Sequence, residues 1–444
     1  MTSLRLDNLV LQNFRCFTSC EIAFHPRVTV LVAENGNGKT AVLDAASLVL
    51  SGYVKAMSLA EQFKKIARSD IRLVPSGHGR MEPRLPTRFS AKGIVADQAV
   101  QWASEVGSYA AKNVRPSTRE LKGLKLAAEA LDNDGALLPL VAFYGTGRLW
   151  SEHRAVEGRR TSVTDVTQRL AGYSDCLASS SSFKGVSAWY QSRSEEVTSP
   201  AHRESLRTNI ALLTAVREAA RTVLEPTGWS NLDWDPSLKA LVADHPQNGR
   251  LPLSSLSDGV RTMLALVADV ARRCASLNPQ LSGDAARQTP GVLMIDEVDM
   301  HLHPRWQQLV LELLCQAFPT LQIIASTHSP HVLSTVDNSS IRVIRMVDGQ
   351  AIIETPLLQT RGIESADVLA TVMGVDPIPQ LPEAVDLSNY RALIEDGQSE
   401  SPRARTLRSK LIEHFSERHP VMRECDRLIR FQEFRLRHGT AGGA

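Results

Sequence analysis

A lysine and a threonine follow a glycine-rich turn near the N-terminus, in the order that phosphate binding requires. Residues 33–40 read Ala-Glu-Asn-Gly-Asn-Gly-Lys-Thr. Successive backbone N–H groups of such a turn surround phosphate oxygens, while Lys39 reaches the β- and γ-phosphates and the Thr40 hydroxyl binds Mg²⁺. The predicted nucleotide contacts here are Asn35, Gly36, Asn37, Gly38, Lys39 and Thr40. The alternative is a glycine-rich turn with an incidental Lys-Thr pair.

Two adjacent acids, Asp296 and Glu297, follow the apolar residues 292–295. Carboxylates at the end of a buried strand are costly unless a metal ion neutralises them. Asp296 is therefore predicted to bind Mg²⁺ through water, alongside Thr40. Glu297 is predicted to be the general base that orients and deprotonates an attacking water. The alternative is an acidic pair that begins a helix.

Ser257 and Gly259 precede a predicted helix in the segment Leu-Ser-Asp-Gly-Val-Arg. A serine hydroxyl and a glycine N–H at a helix N-terminus form a second anion site. Taken alone, the segment favours an ordinary Ser-Asp N-cap. Its position ahead of the acidic pair favours the anion site.

His328 follows an apolar strand in the segment Ser-Thr-His-Ser-Pro. It is predicted to contact a γ-phosphate or to position the water, and the alternative is a capping histidine. A separate metal site at His301, His303 and His331 is an alternative that the chemistry does not need, because Thr40 and Asp296 already account for the metal.

Short apolar strands must position these residues. They are predicted at 28–32, 138–144, 292–295 and 321–325, and continuous apolar runs of this length are typical of strands buried on both faces. Other strands are predicted at 4–14 and 21–24, and a hairpin joins 341–346 to 351–354 through Asp348-Gly349. Helices are predicted at 40–50, 57–69, 117–132, 200–224, 260–276, 306–318, 364–373, 386–396, 402–415 and 420–437.

Composition excludes several classes of protein. The 444 residues carry 50 Lys and Arg against 48 Asp and Glu, so no overall positive field indicates nucleic acid as an obligatory partner. No apolar run approaches the ~18 residues of a membrane span, and the first twenty residues do not resemble a signal peptide. Six scattered cysteines without a C-x-x-C pair fit a reduced compartment. A cytoplasmic protein is expected.

The glycine-rich turn, the Ser257–Gly259 segment, the acidic pair and the His328 segment follow one another in this order along the chain. In this order they resemble the ATP-binding-cassette ATPases of the SMC, RecF and OLD type, over residues 1–55 and 250–345. The resemblance implies an α/β P-loop head with a mostly parallel central sheet and an antiparallel edge sheet. It further implies that two subunits enclose two ATP molecules, with Ser257 and Gly259 contacting the γ-phosphate bound by the partner subunit. Glu297 would be the base and His328 the switch histidine. Arg15 matches an N-terminal arginine that approaches nucleotide phosphates.

A closer resemblance extends over most of the chain. The segments 144–150 (Tyr-Gly-Thr-Gly-Arg-Leu-Trp), 256–259 and 301–304 (His-Leu-His-Pro) resemble the bacterial predicted ATP-binding proteins involved in virulence. This family includes the ATPase subunit of Septu anti-phage systems, PtuA, and retron-associated ATPases. The resemblance implies a separate HNH nuclease partner. His303 stands where transporter cassettes carry an aspartate, which argues against a transport ATPase.

The predicted domains are an ATPase head in two parts (1–55 and 251–360), an α-rich insertion (56–250) and a helical C-terminal appendage (361–444). The predicted function is Mg²⁺-dependent ATP hydrolysis by a head dimer, or higher even oligomer, that gates a partner effector. Two alternatives stay open, namely a DNA-repair ATPase that clamps DNA directly and a nucleotide-sensing scaffold with little turnover. No nuclease site is expected within this chain.

Overall fold

A computed structural model describes residues 4–57, 66–76, 80–107, 136–149, 169–178, 183–198, 206–347 and 350–439. The chain divides into two compact units, Met1–Met373 and Gly374–Ala444. Some sequence predictions lie outside the described residues: the helix at 117–132, most of the helix at 57–69, Trp150 and the Asp348-Gly349 turn.

A six-stranded sheet forms the centre of the first unit. Its order is β15-β14-β3-β13-β12-β8, and all neighbours are parallel except the antiparallel pair β14 and β15. The strands are β3 (Val28–Ala33), β8 (Leu140–Tyr144), β12 (Gly291–Ile295), β13 (Leu321–Ser326), β14 (Ile341–Val347) and β15 (Gln350–Glu354). Every residue of β3, β8, β12 and β13 is buried, as their continuous apolar runs predict. Because β3, β12 and β13 are parallel, the segments that follow them meet at one edge of the sheet.

A second, antiparallel sheet has the order β2-β1-β6-β7. It contains β1 (Leu4–Phe14), β2 (Phe17–Ala23), β6 (Thr87–Val95) and β7 (Gln98–Val106). Strand β6 alternates buried and more exposed residues, which is the pattern of a sheet with one face on the core. Strands β6 and β7 come from the segment for which the sequence predicted mainly helix, so that segment completes the edge sheet.

Smaller sheets complete the strands of the described residues. One pairs β4 (Leu73–Pro75) with β5 (Met81–Pro83), and the other has the order β11-β10-β9. The latter strands are β9 (Ser230–Asp235), β10 (Ala240–His245) and β11 (Gly249–Pro252).

The helices of the first unit include two that begin beside the predicted site, α1 (Lys39–Ala56) and α4 (Asp258–Leu277). The others are α2 (Phe183–Thr198), α3 (Leu206–Leu224), α5 (Ala285–Gln288), α6 (Pro304–Gln307), α7 (Val310–Ala317), α8 (Pro330–Leu333) and α9 (Ser365–Thr371). No helix in the described part of the chain is long and apolar enough to cross a membrane.

The second unit is helical, as predicted for the C-terminal region. It contains α10 (Pro382–Glu395), α11 (Pro402–Phe415) and α12 (Pro420–Gly439). Each helix begins at a proline, the residue whose fixed φ and missing N–H suit the first helical position. The three helices enclose a core of their own, formed by Tyr390, Ile394, Ala404, Leu407, Leu411, Met422 and Cys425.

Candidate functional site

The glycine-rich turn joins the end of β3 to the start of α1, as the sequence predicts. Gly36 and Gly38 both adopt positive φ, 83° and 96°. A Cβ atom on Gly38 would lie 2.3 Å from Cζ of Phe17, the first residue of β2, whereas a Cβ on Gly36 would meet open space. Asn35 is exposed and Asn37 half-buried. The turn thus leaves its outer face open while Gly38 packs against the edge sheet.

Lys39 is the first residue of α1 and is almost wholly buried, with 7% exposure. Its Nζ donates to the carbonyl oxygens of Ala33, at 2.8 Å, and Glu34, at 3.3 Å. Burial lowers the pKa of Lys39, and the negative charges of nearby acids oppose that shift. Those acids are Asp296, Glu297 and Asp299. The ammonium group therefore bridges the turn and faces the acids that follow β12.

Thr40 and Asp296 meet across the sheet edge. The Thr40 Oγ1 donates to Asp296 Oδ2 at 2.8 Å, and Ser326 Oγ, at the end of β13, donates to Asp296 Oδ1 at 2.5 Å. Asp296 is only 2% exposed. A hydroxyl and a buried carboxylate are the oxygen donors that Mg²⁺ prefers, and Mg²⁺ usually takes one or two protein ligands together with phosphate and water. The residues present therefore fit a magnesium ion.

Glu297 is half-buried beside Asp296 and has a positive φ of 49°. Its N–H donates to Ser326 Oγ at 2.8 Å, and the next residue, Val298, donates to the Ser326 carbonyl at 2.9 Å. A left-handed backbone is unfavourable for a non-glycine residue and persists only when its surroundings impose it. Ser326, which the sequence did not single out, thus fixes both acids.

His328 follows β13 and is half-buried. The residue before it, Thr327, donates its N–H to the carbonyl of Leu31 in β3 at 3.2 Å. The histidine therefore emerges at the same sheet edge as the glycine-rich turn and the acidic pair.

The Ser257–Gly259 segment lies at the N-terminus of α4, against the loop that follows the acidic pair. A Cβ on Gly259 would lie 3.1 Å from the His301 carbonyl oxygen. Ser257 is exposed and occupies the N-cap position, but its side chain makes no capping hydrogen bond within the described structure. An exposed hydroxyl of this kind is available to another molecule. Ser257 differs in this respect from Asp296, which is buried against Thr40.

Arg15 lies in the turn between β1 and β2 and has a φ of 47°. Its guanidinium forms ion pairs with Asp44, at 2.6 Å, on the second turn of α1 and with Asp70, at 2.7 Å. Burial acts to lower the pKa of Arg15, but the two carboxylates raise it above its ordinary value. In this structure Arg15 thus braces α1, one turn beyond Thr40.

The alternative metal site at the histidines lacks support. Among the described residues, no group of three or more His, Cys, Asp or Glu side chains is arranged to hold a metal ion. His303 instead caps α6 by accepting from the N–H of Arg305, and His331 contacts Ser365 at 2.7 Å.

Two models of sequence families match the chain, one over the glycine-rich turn and the other over the acidic pair. A model described as "AAA domain" matches residues 8–198, which include the glycine-rich turn. A model described as "AAA domain, putative AbiEii toxin, Type IV TA system" matches residues 230–334, which include Ser257, the acidic pair and His328.

Similar proteins span most of the chain. The "Retron Vc95 probable ATPase" of Vibrio cholerae serotype O1 biovar El Tor is 24% identical, over 93% of this chain and 88% of its own. The "Retron Ec83 probable ATPase" of Escherichia coli is 25% identical, over 93% and 84%. The "Septu protein PtuA" of Bacillus mycoides (strain KBAB4) is 33% identical over 31% of this chain and 19% of its own.

Among solved structures, an SMC head domain from Thermotoga maritima superposes with a TM-score of 0.45 at 16% identity, covering 80% of this chain and all of that one. Models described as AAA domains thus match two separate parts of this chain, and two retron probable ATPases are similar to it over most of its length.

Proposed function

We propose that this chain binds ATP with Mg²⁺ and hydrolyses it. The observation that carries the proposal is the 2.8 Å contact between the Thr40 hydroxyl and the buried carboxylate of Asp296, with Glu297 next in sequence. Thr40 and Asp296 would hold the metal, which neutralises phosphate charge when bound. Lys39 and the N–H groups of the turn bind the phosphates.

In this proposal side chains of this chain orient and deprotonate the attacking water. The Glu297 carboxylate accepts a proton from the attacking water, and its backbone is fixed by Ser326 so that the carboxylate stays beside the phosphate site. His328, from the neighbouring strand, contacts the γ-phosphate. Positioning and charge stabilisation supply most of the acceleration in phosphoryl transfer, because the protein has little covalent chemistry to perform.

We further propose that two heads enclose ATP between them, and that the ATP-bound dimer controls a separate effector. The exposure of Ser257 supports the first part, because the hydroxyl is available to nucleotide held by another subunit. The similarity to two retron probable ATPases and a Septu protein supports a role in a system of that kind. We propose anti-phage defence as that role and an HNH-type nuclease as the effector, as the resemblance of the sequence implies.

Steady-state ATP hydrolysis by the full chain tests this proposal. Lys39→Ala is expected to abolish ATP binding in calorimetry. Glu297→Gln is expected to keep binding but to lower kcat by about 10²–10⁴-fold, the usual contribution of a general base. Glu312→Gln, at an exposed position on α7, makes the same chemical change away from the site and should leave kcat unaltered.

Three outcomes would contradict parts of the proposal. If ATP turnover survives Glu297→Gln, Glu297 is not the general base. Absence of turnover in the wild-type protein would make the chain a nucleotide-sensing scaffold. Strong stimulation by duplex DNA would favour a clamp that acts on DNA directly.

A further inference from the structure

The two residues that flank His328 are each tied, through their hydroxyls, to the segment that follows the acidic pair. Thr327 Oγ1 donates to Asp299 Oδ1 at 2.5 Å, and Ser329 Oγ donates to Gln307 Oε1 at 2.7 Å. Both hydroxyl residues are buried, Thr327 fully and Ser329 at 4% exposure. Buried hydrogen bonds of this kind hold one geometry, because breaking them leaves polar groups unsatisfied.

Each acceptor is itself held in place. Gln307 donates its Nε2 to the carbonyl of Leu302 at 2.9 Å, so the amide is oriented and its oxygen faces Ser329. Asp299 lies two residues beyond Glu297, whose backbone is fixed by Ser326. The loop that carries the base and the loop that carries the histidine are therefore joined on both sides of His328.

We propose that Asp299 and Gln307 are positioning residues, which act through Thr327 and Ser329 to hold His328 in register with Glu297. The inference rests on the proposed ATP hydrolysis and adds to it how the histidine is placed. Neither residue needs to touch the nucleotide. Their effect depends on distance, since a misplacement of about 1 Å in a reacting group lowers the rate by up to about 10²-fold.

The decisive substitution is Thr327→Val, which removes the hydroxyl and keeps the shape of the side chain. It is expected to lower kcat about tenfold, by the misplacement argument above, and to leave the Kd for ATP within about twofold of wild type. Thr327→Ser keeps the donor and should retain wild-type kcat. Thr327→Val also removes the acceptor of the Ser329 N–H, which donates to Thr327 Oγ1 at 2.9 Å. Asp299→Ala removes only the acceptor of the Thr327 hydroxyl, so its loss of kcat should be equal to or smaller than that of Thr327→Val, whereas Asp299→Asn keeps an acceptor oxygen and should retain most of kcat.

A second set of variants, made in the protein that carries His328→Ala, separates a loss of positioning from general structural damage. In a protein that carries His328→Ala, adding Thr327→Val is expected to cause no further loss of kcat, because the residue it positions is gone. The melting temperature of the nucleotide-free protein and the calorimetric Kd for ATP are measured for every variant. If Thr327→Val does not fold, Asp299→Ala takes its place in the same comparison.

The proposal is overturned if Thr327→Val keeps wild-type kcat, if His328→Ala itself has no effect, or if Thr327→Val lowers kcat by the same factor with and without His328. Failure of the proposed ATPase activity would look different, because the wild-type protein itself would then show no turnover.

Discussion

Gly38 is the residue at which the glycine-rich turn meets the edge sheet. Its φ of 96° is rarely adopted by other residues, and any Cβ there would overlap Phe17 at 2.3 Å and Cys16 Sγ at 2.8 Å. Cys16 lies in the β1–β2 turn, which also carries Arg15, and Phe17 is the first residue of β2. The shape of the phosphate-binding turn therefore depends on the neighbouring turn of the edge sheet.

Gly38→Ala is expected to weaken ATP binding at least about tenfold, because a positive φ costs roughly 1–2 kcal/mol for a residue with a Cβ and overpacking adds ~1–3 kcal/mol. Gly36→Ala is the matched control, since Gly36 also has a positive φ but a Cβ there meets open space. Calorimetric titration with ATP measures both. Equal affinities in the two variants would show that the contact with Phe17 does not shape the site.

At the residue scale, sequence order predicted that Thr40 and Asp296 lie close together, but not which residues hold them in place. The glycine-rich turn, Thr40 and the acidic pair were predicted from their positions after apolar strands, and the structure brings Thr40 and Asp296 into contact. The roles of Ser326 and Gln307 could not be predicted, because each depends on a pairing of side chains from separate loops. No periodicity in the sequence encodes such a pairing.

At the scale of elements, helix α4 is fixed to strand β8 by a buried charged group. The hydroxyl of Tyr144, the last residue of β8, donates to Asp269 Oδ2 at 2.7 Å, and Arg273 Nε donates to the same oxygen at 2.9 Å. The carbonyl of Tyr144 also accepts the N–H of Asp296 at 2.8 Å. The helix that begins at Ser257 is thus connected, through β8, to the carboxylate at the end of β12.

Asp269→Asn is expected to destabilise the first unit by about 3–5 kcal/mol, because it leaves Arg273 buried without its counter-charge. Tyr144→Phe removes one hydrogen bond and should cost only ~1 kcal/mol. Urea unfolding at pH 7 measures both free energies. If the two variants were equally stable, leaving Arg273 without its counter-charge would cost no more than losing the Tyr144 hydrogen bond.

The same group predicts a dependence on pH. Burial acts to raise the pKa of Asp269, but Arg272 and Arg273 hold it well below its ordinary value. A depressed carboxyl pKa stabilises the fold above the unfolded pKa of about 3.9, and this stabilisation is lost as pH falls below it. The stability difference between wild type and Asp269→Asn should therefore be constant near neutrality and shrink below about pH 4.

Helices and strands were predicted best where their apolar pattern lies within a short stretch of sequence. The helix at 402–415 has the observed bounds, Pro402–Phe415, and the apolar strands of the central sheet lie where the sequence placed them. Strands β6 and β7 were missed, because the buried positions of β6 include Thr87, Ala91 and Gly93, which give little apolar signal in the sequence. Strand β6 pairs with β1, which lies about eighty residues earlier in the chain, a distance that pattern analysis over short windows does not cover.

At the scale of the whole molecule, the first unit carries the predicted site and the second is a separate helical unit. Nothing in the overall charge, +2, indicates a polyanion as the main partner. The exposed Ser257 instead offers a specific place where a second copy of the chain would contribute to the site.

Ser257→Arg is expected to prevent ATP-dependent dimerisation while leaving ATP binding by the monomer intact, because a large cationic side chain replaces a small hydroxyl at the proposed interface. Light scattering with ATP, in a protein that also carries Glu297→Gln to prevent turnover, measures the mass. Ser409→Arg, at an exposed position on α11 in the other unit, is the control. If the Ser257→Arg variant still forms dimers in the presence of ATP, the surface around Ser257 is not the dimer interface.

The position of β3 within the central sheet has a consequence for synthesis on the ribosome. Its two neighbours, β13 and β14, are both encoded far downstream. At ~5–20 residues per second, the roughly 290 residues between β3 and the start of β13 take about 15–60 s to translate. During that time an apolar strand has neither partner available, so the nascent chain must be kept from aggregating until most of it has been made. The first unit is therefore expected to depend on chaperones that hold nascent chains, and messages truncated before β13 should yield insoluble product.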